Sequence, residues 1–453
     1  MDAAIALNRF GLGARPGEVR RIGGAEEWLA RQAEDASAFE LTDSELPSSV
    51  EAGVALFALR EERRASRNGA AQGDPVQQVV MRLAELARPD VEARIQSGLN
   101  TDHGFAERLV YFWSNHFTVS AAKGQTAPLV GPFEREAIRA QMQGSFFDLL
   151  SATTTHQGML LYLDQANSVG PNSWIGSRRD TGLNENLARE VLELHTVGVH
   201  GGYSQTDVTE FARALTGWTI VGPAVHQRLP ASRLGETIFL EQMHEPGQRR
   251  IMGRSYSEGG REQALAVLHD LARRPETARR IALKLVRHFI ADEPPPSAVA
   301  RLEHVFLETE GDLPSLHRAL AALPEAATPE ARKFKSPQDF ILSACRMTGV
   351  ASAPLRGMAG SFQMLAQPIF RAPSPAGWDD VSENWAGPDA IMKRLEWSQA
   401  LAARVGRRDA PEALAADVLG PGLSDATRAA VARAESAEQG LTLALMSPEF
   451  QRR

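Results

Sequence analysis

Cysteine is nearly missing from this chain. Of 453 residues only Cys345 carries a thiol, so no intramolecular disulfide, cysteine-ligated zinc site or dithiol redox pair is available. Long apolar runs are missing too. No stretch approaches the roughly 18 consecutive apolar residues of a membrane span, and the start, MDAAIALNRFGLGARPGE, lacks a basic segment followed by an apolar one. The expectation is a protein without a membrane span that stays in the cytoplasm. Excess positive charge is absent as well: the net charge is −7, which leaves no global field to hold phosphates and argues against a nucleic-acid partner.

Several signatures that announce a reaction are also lacking. There is no Gly-x-Ser-x-Gly elbow, no phosphate-binding P-loop, no His-Glu-x-x-His and no pair of Glu-x-x-His motifs, which removes the usual support for serine-hydrolase, nucleotide-dependent, zinc-protease and di-iron chemistry. No solenoid-length repeat is evident.

What is present is a globular composition, 43% hydrophobic and 23% charged, with helical periodicity over most of the length. Phe105, Leu109 and Phe112 recur at helical spacing and Trp113 widens the stripe, predicting a buried helix over 105–116. Pro132, with Glu134 and Glu136, suits a helix start. Ser145 with Asp148 and Ser204 with Asp207 fit capping boxes. Leu183, Leu187, Val191 and Leu194 predict a helix from Leu183 to Val197, stopped by Gly198. Ser336-Pro337-Gln338-Asp339 predicts a helix closed by Gly349. Residues 218–260 lose this period, and Thr237–Leu240 with Arg250–Gly253 suggest a small β-hairpin excursion. The expected fold is therefore all-α, a helical array or bundle with that excursion. The charged run Arg60–Arg67, followed by Asn68-Gly69 and Gly73-Asp74-Pro75, reads as a linker. It divides an N-terminal helical lobe, 1–75, from a main helical domain, 76–453, the two forming one continuous body.

Some polar residues sit where packing alone does not account for them. His116 lies on the apolar stripe of its helix and must find a partner there, as a core histidine bonded to a carbonyl, a metal ligand or a base. In the segment 184–195, Glu185, Arg189 and Glu193 follow one another at i, i+4, which a solvated ion ladder explains. Asn186 and Glu190 flank one edge of the apolar seam and Asn184 and His195 the other, where a half-buried carboxylate becomes a candidate acid or base. A divalent-metal site from His116, His195, His244 and His288 is an alternative that spacing does not support, and no cofactor is otherwise expected. His288, with Lys284 one turn back, reads as a packing residue. The loop Gly377-Trp378-Asp379-Asp380, followed by Trp385, joins two indoles to two carboxylates, as a sugar or peptide platform or as an anchor sealing a long loop.

Four segments, NRFGLGARPG at 8–17, FWSNHFTVS at 112–120, GLNENLAREVLELHTVGVHGGYSQTDV at 182–208 and FRAPSPAGWDD at 370–380, closely resemble the bacterial family known as domain of unknown function 1800. HEPGQRRIMG at 244–253 is similar to that family's His-Asp-Pro-Gly segment, with Glu245 in place of aspartate, and MSPEFQ near the C-terminus extends the likeness along the chain. The resemblance implies no established activity. It implies a recurrent polar set, here Trp113, Asn115, His116, Asn184, Glu185, Asn186, Arg189, Glu190, Glu193, His195, Tyr203 and Asp207. It also implies a neighbour-encoded partner resembling sulfatases and alkaline phosphatases, and export in many members. The paired carboxylates and the aromatic platform give the expectation of a hydrolase. Glu185, Glu190 or Glu193 would act with His116 or His195 as acid and base; Trp113, Asn115, Asn184, Asn186, Arg189, Tyr203 and Asp207 would hold substrate; and Trp378 and Trp385 would bind a polymer such as a glycan. The alternative is a non-catalytic helical interaction protein whose polar set is a buried network fixing helix register.

Overall fold

A computed structural model describes residues 1–41, 45–68, 75–178, 182–229, 231–328, 330, 332–350, 355–405 and 410–453. The described chain is mostly helical. Its only sheets are two antiparallel two-stranded ones, Trp218–Ile220 with Thr237–Phe239 and Arg249–Ile251 with Arg254–Tyr256. Both fall within the expected excursion, which therefore holds two hairpin-like pairs. The stretch Arg60–Arg67 lies within the helix Ser49–Asn68. The remainder of the expected linker, 69–74, is outside the described residues, as are 179–181 of the polar loop 164–182. No helix among the described residues is long and apolar enough to cross a membrane.

Local chemistry sets the helix ends. Ser145 and Ser204 accept from the backbone amides of Asp148 and Asp207, whose carboxylates bind back to the serine amides, so each helix start satisfies two otherwise orphaned donors. Ser336 accepts from the Asp339 amide, Pro337 occupies the first turn, and Gly349 closes that helix at φ +68°. The 183–197 segment departs from the expected single helix. Asn184 Oδ1 accepts from the Asn186 amide, so the helix begins at Asn186, and after Glu190 it widens into a π turn over Val191–His195. The extra residue rotates the register, so that Leu192 and His195 are buried where Leu194 was expected. The expected start at Pro132 also shifts. The helix opens at Val130 and continues as a π turn over Glu134–Ile138, in which Glu134 is buried and accepts from Arg94 and Arg139.

One contiguous cluster of buried apolar side chains runs through the molecule, from Ala6 to Phe450. Its centre is aromatic: Phe10, Phe105 and Phe289 pack with ring centroids 5.5–6.0 Å apart, in stacked and edge-on pairs that add to their area burial. The helix Gly104–His116 passes through this centre against Pro275–Phe289. Those two helices carry the polar groups described next.

Candidate functional site

Around the C-terminal turn of the Gly104–His116 helix the polar side chains divide into two groups. On one side His116, 2% exposed, donates from Nε2 to the carbonyl of His195 at 3.1 Å, because a carbonyl can only accept. Its Nδ1 is thereby the lone-pair nitrogen and accepts from Lys284 Nζ at 2.9 Å. Burial first, and then Lys284, hold His116 well below its usual proton affinity, so the ring is neutral at pH 7. The His195 ring lies 6.1 Å away and is brought down to about 3 by burial and by Lys284 and Arg280. Trp113 is fully buried and donates from its indole to His317 Nε2 at 3.1 Å. This side is enclosed.

On the other side Asn115 forms a two-way clamp. Its Nδ2 donates to the Trp378 carbonyl at 2.9 Å and its Oδ1 accepts from the Trp378 amide at 2.7 Å. The clamp needs Gly377, which sits at φ +85°: a Cβ there would stand 2.5 Å from the Asn115 carbonyl oxygen. Held this way, Trp378 and Trp385 lie with ring centroids 6.1 Å apart, and Trp385 donates to the Asp379 carbonyl at 3.0 Å. Both indoles keep part of their surface in solvent.

Beneath the indoles is a pocket of about 100 Å³ whose polar lining includes Arg108, His288, Lys333, Asp339, Asp380 and Arg453. His288 Nδ1 lies 3.0–3.1 Å from both carboxylate oxygens of Asp380. Since the carboxylate accepts, Nδ1 carries the proton and Nε2 the lone pair; that Nε2 is buried and has no hydrogen-bond partner. Burial lowers the proton affinity of His288 despite Asp380. Burial opposes the Asp380 charge, but His288 and then Lys333 outweigh it and bring this carboxyl down to about 2. The pair is therefore a neutral imidazole on a carboxylate. Lys333, 2% exposed, donates to Asp292 at 2.5 Å and to the Asp380 carbonyl. Asp339 accepts from Arg108 Nη1 and from Arg453 Nε, each at 2.9 Å, and Arg453 also donates to the His288 carbonyl at 2.9 Å. Chain residues 108, 288, 339, 380 and 453 thus form one continuous wall.

The carboxylates of the 184–195 segment stand elsewhere, and none of them lines this pocket. Glu185 and Glu193 flank Arg189 at 3.3 and 3.6 Å on a partly exposed face, and Glu185 also accepts from Thr209 and Gln205. Glu190 is held above its usual range by burial and then by Glu193. Burial first, then a hydrogen bond to Glu193, raises Tyr203 to about 12. Asn184 starts the helix at Asn186, and Asp207 caps its own helix and accepts from the Met252 amide at 2.6 Å. The fold thus brings His116 to His195, and Asn115 to Trp378, while Glu185 and Glu193 stay on the ladder with Arg189 and Glu190 stands beside it.

His244 donates from Nδ1 to the Thr216 carbonyl at 2.9 Å, and Glu245 holds the 164–182 loop by accepting from the amide and side chain of Asn172. Among the described residues no group of three or more His, Cys, Asp and Glu side chains is placed to hold a metal ion. Sequence reasoning singled out neither Arg108, Lys333 nor Arg453 for the site. Asp339 is legible in the sequence only as a first-turn acid, and His288 as a packing residue or a member of the alternative metal site; it does pack on Phe112, with centroids 5.4 Å apart. The one sequence signal for this wall was the 377–385 loop. Compared with known proteins, the chain matches no curated protein and no solved structure, while a family model covers residues 5–452.

Proposed function

The chain belongs to the family that this model describes, Protein of unknown function (DUF1800), and since that description carries no reaction we propose from the geometry that the protein is a hydrolase whose base is His288. The observation that carries this reading is the His288–Asp380 pair: the carboxylate fixes the Nδ1–H tautomer and leaves a buried, unpartnered Nε2 on a residue that lines the pocket. A water at Nε2 gives its proton to the imidazole as its oxygen attacks the scissile bond. The resulting imidazolium is stabilised by Asp380 and returns the proton to the leaving group. The pocket is smaller than the roughly 300–1,000 Å³ that encloses a drug-sized ligand. It therefore receives the reacting group, and the remainder of a larger substrate lies on Trp378 and Trp385. Two partly exposed indoles suit sugar rings, so a glycan is the substrate class we favour.

In this proposal the acid–base role passes from Glu185, Glu190, Glu193, His116 and His195 to His288. The enclosed group of His116, His195, Trp113 and His317 instead fixes the register of the helices it joins. The test is a panel of chromogenic glycosides and esters offered to the full chain and to His288→Gln. Hydrolysis that falls about 10²- to 10⁴-fold in the variant is the expected result for a lost general base. Turnover unchanged in His288→Gln refutes the assignment. The sulfatase-like partner implied by the resemblance stays a separate proposal, tested by co-purification.

A further inference from the structure

The helix Pro275–Phe289 carries a second polar stripe. Arg280, Lys284 and Arg287 recur at i, i+4, i+7 and so share one helical face. Each is half-buried. Arg279, on the adjoining face, pairs with Glu303 at 3.5 Å, but no ion pair within 4 Å forms at Arg280, Lys284 or Arg287 among the described residues. Their contacts are neutral: Arg280 Nε donates to the Leu194 carbonyl at 3.3 Å, Lys284 to His116 Nδ1, and Arg287 Nε to the Asp292 carbonyl at 3.3 Å. Each guanidinium thus spends its Nε and keeps its two terminal nitrogens, the fork that grips a carboxylate, phosphate or sulfate.

The cost of this arrangement is visible in the neighbours. Burial lowers the proton affinity of Arg280, and Arg287 lowers it further. Burial and Arg280 bring Lys284 down to about 7, with Arg287 adding to the effect and Asp380 opposing it. His195 stands in the same field, is 1% exposed, and has an Nδ1 without a partner. Two arginines with unspent donors, and a lysine that burial and Arg280 push towards its neutral form, are stabilised when an anion joins them.

We propose that Arg280, Lys284 and Arg287 form a binding site for a tetrahedral oxyanion, a phosphate or sulfate group. The site stands on different residues from the His288 pocket and does not depend on the hydrolase reading. Calorimetric titration of the full chain with inorganic phosphate, inorganic sulfate and glucose 6-phosphate, at constant ionic strength set with sodium chloride, tests it. Saturable binding is expected, at least tenfold weaker in Arg280→Gln and in Arg287→Gln, and unchanged in Arg279→Gln. Thermal melts of each variant establish that it is folded. Tighter binding of the ester than of inorganic phosphate identifies a phosphorylated ligand, and equal binding identifies the free ion; both support the site. Absence of saturable heat with all three probes overturns it, and so does an equal loss in Arg279→Gln.

Discussion

Replacing Asp339 by asparagine removes one negative charge from between Arg108 and Arg453 while leaving the side-chain volume unchanged, so no cavity complicates the result. The three residues are 6%, 2% and 3% exposed, and the carboxylate takes a hydrogen bond from each guanidinium at 2.9 Å. Removing one partner of a buried ion pair costs about 3–5 kcal/mol, because the opposite charge is left in a poor solvent. Asparagine still offers one acceptor oxygen, which places the expected loss near the lower end, about 3 kcal/mol. Burial disfavours the Asp339 charge, but Arg108 and then Arg453 pull the carboxyl far below its ordinary 3.8. A carboxyl depressed on folding contributes stability that is fully present above its ordinary value and is lost as pH falls towards the folded one. The difference between wild type and D339N is therefore greatest at pH 7 and shrinks as pH drops from about 5 towards 3. Urea unfolding at a series of pH values measures it by linear extrapolation. A difference under about 1 kcal/mol at pH 7, or one that does not change with pH, refutes the reasoning.

Gly377→Ala places a methyl 2.5 Å from the Asn115 carbonyl oxygen in a left-handed conformation, so the Asn115–Trp378 clamp must open. The expected loss exceeds the roughly 1–2 kcal/mol of the backbone strain alone, accompanied by a red shift of tryptophan emission as the indoles gain solvent; an unshifted spectrum would count against the clamp. Lys284 has its ordinary 10.5 brought down to about 7 by burial, then Arg280, so the unfolded chain binds a proton there that the folded chain releases across that interval. Stability contributed by this site accordingly rises with pH from about 7 to 10.5. Lys284→Met should flatten part of that rise in thermal melts, leaving the part due to Lys335, which burial also lowers to about 7. A rise of undiminished slope in the variant would contradict the placement of Lys284.

The elements that the sequence made legible are those whose cause is local. Ser145 with Asp148, Ser204 with Asp207, and Ser336 with Gly349 each satisfy backbone groups within a few residues, so short patterns predict them and the structure has them. The π turn at Val191–His195 escapes periodicity because one added residue leaves the apolar spacing almost unchanged while rotating which side chains face inward. The pocket wall was illegible for a different reason. His288 meets Asp380 across 92 residues, Arg108 meets Asp339 across 231, and Arg453 reaches Asp339 across 114. No repeat, cap or spacing records such pairings in a single sequence. What remained readable of that wall was composition, two indoles and two carboxylates on the irregular segment 377–385.

The central claim is that His288 presents a free basic nitrogen, and long-range ¹⁵N–¹H correlation of the imidazoles in histidine-labelled protein reads that state without knowledge of the substrate. Assigned through His288→Gln, the His288 ring should be neutral at pH 7 and above and protonated on Nδ1, with Nε2 carrying the lone pair, and Asp380→Asn should disturb that tautomer. A ring that is positively charged at pH 7, or whose proton resides on Nε2, would contradict the account.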